Sequence, residues 1–67
     1  MAEINIAKQL LAARHEKKIT QEELASYVGV SKAAVSKWES GVSFPDITLL
    51  PKLATYFNVS IDELIGY

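Results

Sequence analysis

Residues 20–39 read Thr-Gln-Glu-Glu-Leu-Ala-Ser-Tyr-Val-Gly-Val-Ser-Lys-Ala-Ala-Val-Ser-Lys-Trp-Glu. The stretch holds two helix starts and one turn. Thr20 followed by Glu23 fits a capping box: the threonine oxygen accepts from the third helical amide and the glutamate reaches back. Gly29 takes a left-handed conformation at little cost, so the first helix ends near Tyr27 or Val28. Ser31 caps a second helix that runs to about Ser40. Leu24, Ala25, Val28, Val30, Val35 and Trp38 then face inward, and Ala25 is small enough for a crossing helix to approach closely. Lys32, Ala33, Ser36 and Lys37 are left facing out on the second helix.

Two short helices joined by a tight turn form a helix-turn-helix, whose second helix ordinarily enters the major groove of DNA. Two details of the second helix favour that use. Its first helical residue is Lys32, a cation at the positive end of the helix dipole, which is unfavourable for stability by roughly 0.3–1 kcal/mol. Its capping box is also incomplete, because Ala34 stands where a Glu would close it. Both choices suit a helix end that meets phosphates or base edges; a solvated surface lysine is the plain alternative.

The flanks supply the rest of the core. A helix is expected from about Asn5 to Lys17, with Ile6, Leu10 and Ala13 at helical spacing and Arg14 beside them. Ala7, Leu11, Ala12 and Ala13 raise its helix propensity. Leu11 falls off the stripe and reads as a lone exposed leucine. Ser40 to Asp46 is a loop: Gly41 ends the helix before it, and Pro45 disfavours a helical Phe44. A fourth helix covers about Ile47 to Phe57, with Leu50, Leu53, Ala54 and Phe57 as its apolar stripe. Pro51 constrains its start. Either Thr48 caps it and Pro51 lies in the first turn, or Asp46 caps it and the helix is irregular; Thr48 is the preferred reading. Asn58 ends it, and Ser60 with Glu63 forms a second capping box that opens a short fifth helix through Ile65. The pattern is all-α in a single domain across residues 1–67, without repeats or linkers.

Composition agrees. Sixty-seven residues with 49% hydrophobic content suit a small helical bundle with short loops. There is no Cys, which excludes disulfides and Cys-based zinc sites and fits a cytoplasmic location. The N-terminus carries Glu3 and Lys8 with no long apolar run, so no signal peptide is expected. No stretch approaches the length of a membrane span. The net charge is −1, low for a DNA-binding domain, but it is unevenly distributed. Residues 1–37 carry Lys8, Arg14, Lys17, Lys18, Lys32 and Lys37 against Glu3, Glu16, Glu22 and Glu23, a balance of +2. Residues 38–67 carry Lys52 against Glu39, Asp46, Asp62 and Glu63, a balance of −3. The basic half holds the motif, and its field is modest, so one copy should bind DNA weakly without sequence preference. Catalysis has no support: His15 is the only histidine, it lies among Arg14, Glu16 and Lys17, and no nucleophile set, carboxylate pair or glycine-rich phosphate loop accompanies it. No catalytic residue, metal or cofactor is expected.

Gln21 at the start of the second helix, Gly29 at the turn, Trp38-Glu39 near the end of the third helix and Asn58-Val59-Ser60-Ile61-Asp62-Glu63-Leu64 resemble the Cro/C1-type helix-turn-helix family, the phage-repressor and xenobiotic-response-element-like bacterial regulators. The resemblance covers about residues 4–65. It implies a compact five-helix lambda-repressor-like domain and a sequence-specific regulator, a repressor by preference, that binds double-stranded DNA as a homodimer on a near-palindromic operator. Carried over by position, Gln21 would contact a phosphate, and Ser31, Lys32, Ala33, Ser36 and Lys37 would form the reading face. Ser40 would contact the DNA backbone, and Arg14 and Glu39 would form the family's buried ion pair. There are departures. Glutamines often stand at the positions of Lys32 and Ala33, and the loop Val42-Ser43-Phe44 lacks the basic residues often used on phosphates. The operator of a relative therefore does not transfer.

The side chains suggest their own code. Lysine matches guanine O6 and N7, alanine offers a methyl contact to thymine, and serine reads a donor or an acceptor. Lys32 and Lys37 then favour guanine or contact phosphate, and Ala33 favours thymine. So small a reader needs two copies, on half-sites about one helical turn apart; Leu49, Tyr56, Ile65 and Tyr67 are candidates for a self-interface, with Ile65 favoured as core. The chain reads as a minimal regulator or as the amino-terminal module of a longer one. The competing function is a helix-turn-helix used to bind proteins, such as a polymerase subunit or a toxin.

Overall fold

A computed structural model of the chain describes residues 5–66. Five α-helices follow in order: α1 (Ile6–Lys17), α2 (Gln21–Val28), α3 (Lys32–Ser40), α4 (Leu50–Phe57) and α5 (Ile61–Ile65), with a single 3₁₀ turn, Ile47–Leu49, leading into α4. There is no strand among the described residues.

Local chemistry sets the helix boundaries. Thr20 Oγ1 accepts from the amide of Glu23 at 3.0 Å while Glu23 Oε1 accepts from the amide of Thr20 at 3.2 Å, which is the full capping box. Ser60 and Glu63 repeat it at α5 with the same distances. Ser31 caps α3 alone, accepting from the amide of Ala34 at 3.1 Å. Gly29 closes α2 at φ 87°, where its N–H reaches the carbonyl of Ala25. Lys18 and Asn58 close α1 and α4 in the same left-handed conformation, a position in which Asn is more at ease than Lys.

The start of α4 departs from the preferred sequence reading. Thr48 does not cap α4, whose cap position is Leu49 with no side-chain bond; Asp46 caps the 3₁₀ turn that precedes it, its carboxylate accepting from the amide of Thr48 at 2.9 Å and from the Thr48 hydroxyl at 2.8 Å. These two bonds hold the Asp46 carboxyl below its ordinary range. Pro45 before it is buried, which anchors the end of the loop. The chain then makes one 3₁₀ turn before α4 begins at Leu50, so Pro51 falls in the first turn, where its missing N–H has no helical partner to serve. Thr48 stabilises its neighbour's carboxylate instead of capping a helix.

The core is one cluster of Ile6, Leu10, Leu24, Ala25, Val28, Val35, Trp38, Leu53, Ala54 and Leu64, drawn from all five helices. Ile19, Val30, Leu49, Leu50, Tyr56, Phe57, Val59 and Ile65 pack half-buried around it. Leu11 is half-buried, not exposed as its place off the apolar stripe suggests. The N–H of Asn5 donates to the carbonyl of Ile65 at 2.7 Å, tying the start of α1 to α5. The principal extents are 33 × 24 × 22 Å.

Candidate nucleic-acid interface

α2 and α3 pack against each other through Leu24, Ala25, Val28, Val35 and Trp38, all buried. That leaves one outer stripe of α3 in solvent. Ser31, Lys32, Ala33, Ser36, Lys37 and Ser40 are all exposed, and the three- and four-residue offsets among Lys32, Ala33, Ser36, Lys37 and Ser40 keep them on a shared helical face. The stripe is therefore short, mixed and unoccupied by packing.

Each member carries a different commitment. Lys32 Nζ lies 4.0 Å from Glu22 Oε1, across the gap between α2 and α3, with both side chains largely in solvent. That carboxylate offsets part of the penalty for a cation at this helix start, and sequence spacing alone does not point to it. Lys37 has no ion pair among the described contacts. The oxygen of Ser31 accepts the cap hydrogen bond, leaving its hydroxyl proton free to donate. The Ser40 hydroxyl donates to the carbonyl of Lys37 at 3.2 Å, so in this rotamer it offers only lone pairs and would have to rotate to donate to a phosphate.

Behind the stripe sits a charged network. Arg14 Nε donates to Glu39 Oε2 at 2.6 Å and Nη2 to Glu39 Oε1 at 3.0 Å, a two-pronged pair joining α1 to the end of α3. The side chains are 11% and 5% exposed. Arg14 Nη1 also donates to the carbonyl of Ile19 at 2.9 Å, fixing the α1–α2 connection. Gln21 joins the same network: its Nε2 donates to Glu39 Oε1 at 3.0 Å. Burial pushes the Glu39 carboxyl up, but the hydrogen bonds from Arg14 and Gln21 and the neighbouring positive charge outweigh it, and the net shift is downward. Arg14 is moved upward, chiefly by its bond to Glu39.

Between the end of α1 and the starts of α2 and α3 lies a shallow notch lined by Arg14, Lys18, Ile19, Thr20, Gln21, Glu22 and Lys32. Lys18 belongs to it, and no sequence motif marks that residue. Two other lysines stand over aromatic rings: Lys17 Nζ is 5.0 Å from the Tyr56 ring centre and Lys52 Nζ 5.4 Å from that of Tyr27. The two tyrosines stack at 4.2 Å.

The sequence suggests Leu49, Tyr56, Ile65 and Tyr67 for a self-interface. Leu49, Tyr56 and Ile65 are half-buried against the core, and Tyr67 lies outside the described residues. Among the described residues, the most exposed large apolar side chains lie between α3 and α4: Val42 at 72%, Phe44 at 67% and Ile47 at 78%. His15 is exposed, its Nε2 3.3 Å from Arg14 Nη2. No helix among the described residues is long and apolar enough to cross a membrane.

Comparison with known proteins places this geometry. Residues 10–64 match the helix-turn-helix family HTH_3. The HTH-type transcriptional activator BcrR of Enterococcus faecalis is 43% identical over 59 residues, covering 88% of this chain and 29% of that protein. A transcriptional regulator from Listeria innocua superposes with a TM-score of 0.93 at 37% identity, over 97% of this chain and 61% of that one. The P22 c2 repressor, solved in complex with a synthetic operator, superposes with a TM-score of 0.84 at 33% identity, over 90% of this chain and 91% of that one. The chain thus spans under a third of the activator and about three-fifths of the Listeria protein.

Proposed function

The chain belongs to the Cro/C1-type helix-turn-helix family, and on that premise we propose that it is a sequence-specific regulator of transcription, a repressor by preference, that reads double-stranded DNA with α3. The observation that supports this most is the outer face of α3. A helix held by Val35 and Trp38 on one side presents Ser31, Lys32, Ala33, Ser36 and Lys37 to solvent on the other. Those side chains form no apolar seam for a packing partner, yet they offer donors and a methyl group of the kind that base edges recognise.

In this reading Lys32 and Lys37 donate to guanine or to phosphate, Ala33 meets a thymine methyl, and the two serines contact base edges or backbone. Gln21 and Ser40 flank the groove at the phosphates. Phosphate contacts set the register, and base contacts set the sequence. The reader acts in the cytoplasm as a homodimer on a near-palindromic operator, since two copies a helical turn apart multiply the few base pairs that one can read. The activity is that of this domain, alone or as the amino-terminal module of a longer regulator.

Duplex binding followed across a salt series tests the proposal. Affinity should fall steeply with added salt as condensed counterions are released. A flat response, or no binding to any duplex from a random pool at low salt, would instead favour a protein-binding use of the fold. On a selected operator, Lys32→Ala should relax preference at one position by about 1–3 kcal/mol if the lysine reads a base, or weaken all sequences alike if it contacts phosphate. Unchanged affinity in both Lys32→Ala and Lys37→Ala would show that α3 is not the reading helix.

A further inference from the structure

We propose that Glu39 is a positioning residue for contact with the DNA backbone: its carboxylate holds the Gln21 amide with the nitrogen end fixed, so that the second N–H of that amide is available to a phosphate. The inference rests on the DNA-binding reading above and goes beyond it by giving the buried ion pair a role in binding.

A glutamine amide has one end that donates and one that accepts, and only the donating end is useful against a phosphate. An untethered glutamine presents either end. Gln21 is tethered to an ionised carboxylate, which accepts hydrogen bonds and donates none. Glu39 Oε1 therefore selects the nitrogen end, with Nε2 at 3.0 Å. One amide proton is used in that bond, and its twin has no partner among the described hydrogen bonds. Gln21 is half-buried and lines the notch that also holds Lys18 and Lys32; Glu22 offsets Lys32 at 4.0 Å, which leaves Lys18 and the Gln21 amide as the groups there that favour a phosphate. Glu39 is itself held by Arg14 at 2.6 and 3.0 Å, and Arg14 by the carbonyl of Ile19 at 2.9 Å. Four groups are thus fixed in series, and the last is the only neutral donor of the set that reaches the notch.

The sign of one substitution separates positioning from simple electrostatics. Glu39→Gln removes a negative charge from a protein whose net charge is −1, so its long-range effect on a polyanion is to tighten binding. It also removes the selection, because a second amide can pair with either end of Gln21. Positioning therefore predicts weaker binding. Gln21→Ala, Glu39→Gln and the double variant of the full chain are titrated against a short mixed-sequence duplex at low salt, with each confirmed folded by circular dichroism at the temperature used. Each single change should weaken binding by roughly threefold to tenfold, and the double should be no weaker than either single. Unchanged or tighter binding by a folded Glu39→Gln overturns the inference, as does simple additivity of the two losses. If Glu39→Gln does not fold, the side-chain amide signals of Gln21 in the unaltered chain decide by NMR. One proton displaced in the free protein and the other moving on addition of duplex supports the role; two signals indifferent to duplex overturn it. A chain that binds no duplex removes the DNA reading and this inference together. Binding that survives both substitutions removes this inference alone.

Discussion

Replacing Arg14 by methionine withdraws the charge against which Glu39 is buried while keeping much of the side-chain bulk. Three part-buried hydrogen bonds go with it, those to Glu39 at 2.6 and 3.0 Å and that to the carbonyl of Ile19 at 2.9 Å, as does the exposed contact with His15 at 3.3 Å. Only Gln21 is left to satisfy a carboxylate whose side chain is 5% exposed. Breaking a buried pair from one side costs about 3–5 kcal/mol, most of it the stranded charge. A domain of this length has roughly 3–10 kcal/mol of stability in all, so the variant should lose about a third of its stability or more, with a matching fall in its urea midpoint. Trp38, the only tryptophan and 4% exposed, adjoins Glu39 in the chain and reports unfolding by its fluorescence in urea.

The pH dependence supplies an independent check. The Glu39 carboxyl is depressed in the folded protein, from the ordinary value of 4.5. Its contribution to stability is therefore fully present above that ordinary value and is lost as pH falls through the lower folded one. In Arg14→Met the burial that pushes Glu39 up is no longer outweighed by the guanidinium, so acid relieves the stranded charge. The stability gap between the two proteins should narrow on acidification. A loss under about 1 kcal/mol, the range of an exposed pair, or a gap that stays constant into acid, would refute the reasoning.

Two further outcomes follow from packing and backbone. Leu53→Ala empties a fully buried site on α4 and should cost about 2–5 kcal/mol, lowering the midpoint of thermal unfolding without altering how the folded protein binds duplex. Gly29→Ala meets no atom within 4 Å, so its cost is set by a φ of 87°; a loss of about 1–2 kcal/mol in urea denaturation is expected, and a neutral result would mean that the α2–α3 turn relaxes.

What is legible in the chain divides along physical lines. Helix starts and stops are local, and Thr20, Ser31, Ser60 and Gly29 announce them within four residues. The exposed stripe of α3 follows from which side chains are too polar to bury. The start of α4 misleads because Asp46 and Thr48 are both competent caps two residues apart. The choice falls to Asp46 through the burial of Pro45 and the 3₁₀ turn that follows, neither of which spacing reveals. The partnership of Arg14 with Glu39 comes from family resemblance, since 25 residues separate them and no local pattern links them. Gln21 on Glu39 and Glu22 beside Lys32 are not legible at all, for such pairings depend on how two helices cross. Lys18 escapes for the same reason: its place in the notch is set by the turn after α1.

The bond from Asn5 N–H to the carbonyl of Ile65 closes the described chain into a near-continuous loop, with its two ends side by side. Topologically the domain is a ring with one cut, and the cut need not be where it is. A short linker could join the ends and new termini could open between α3 and α4, leaving α2 and α3 intact, as compact domains with adjacent ends commonly allow. The same adjacency lets the domain be inserted whole into a surface loop of a host protein. Tension applied through both ends would load the α1–α5 seam, away from the helices that form the turn motif.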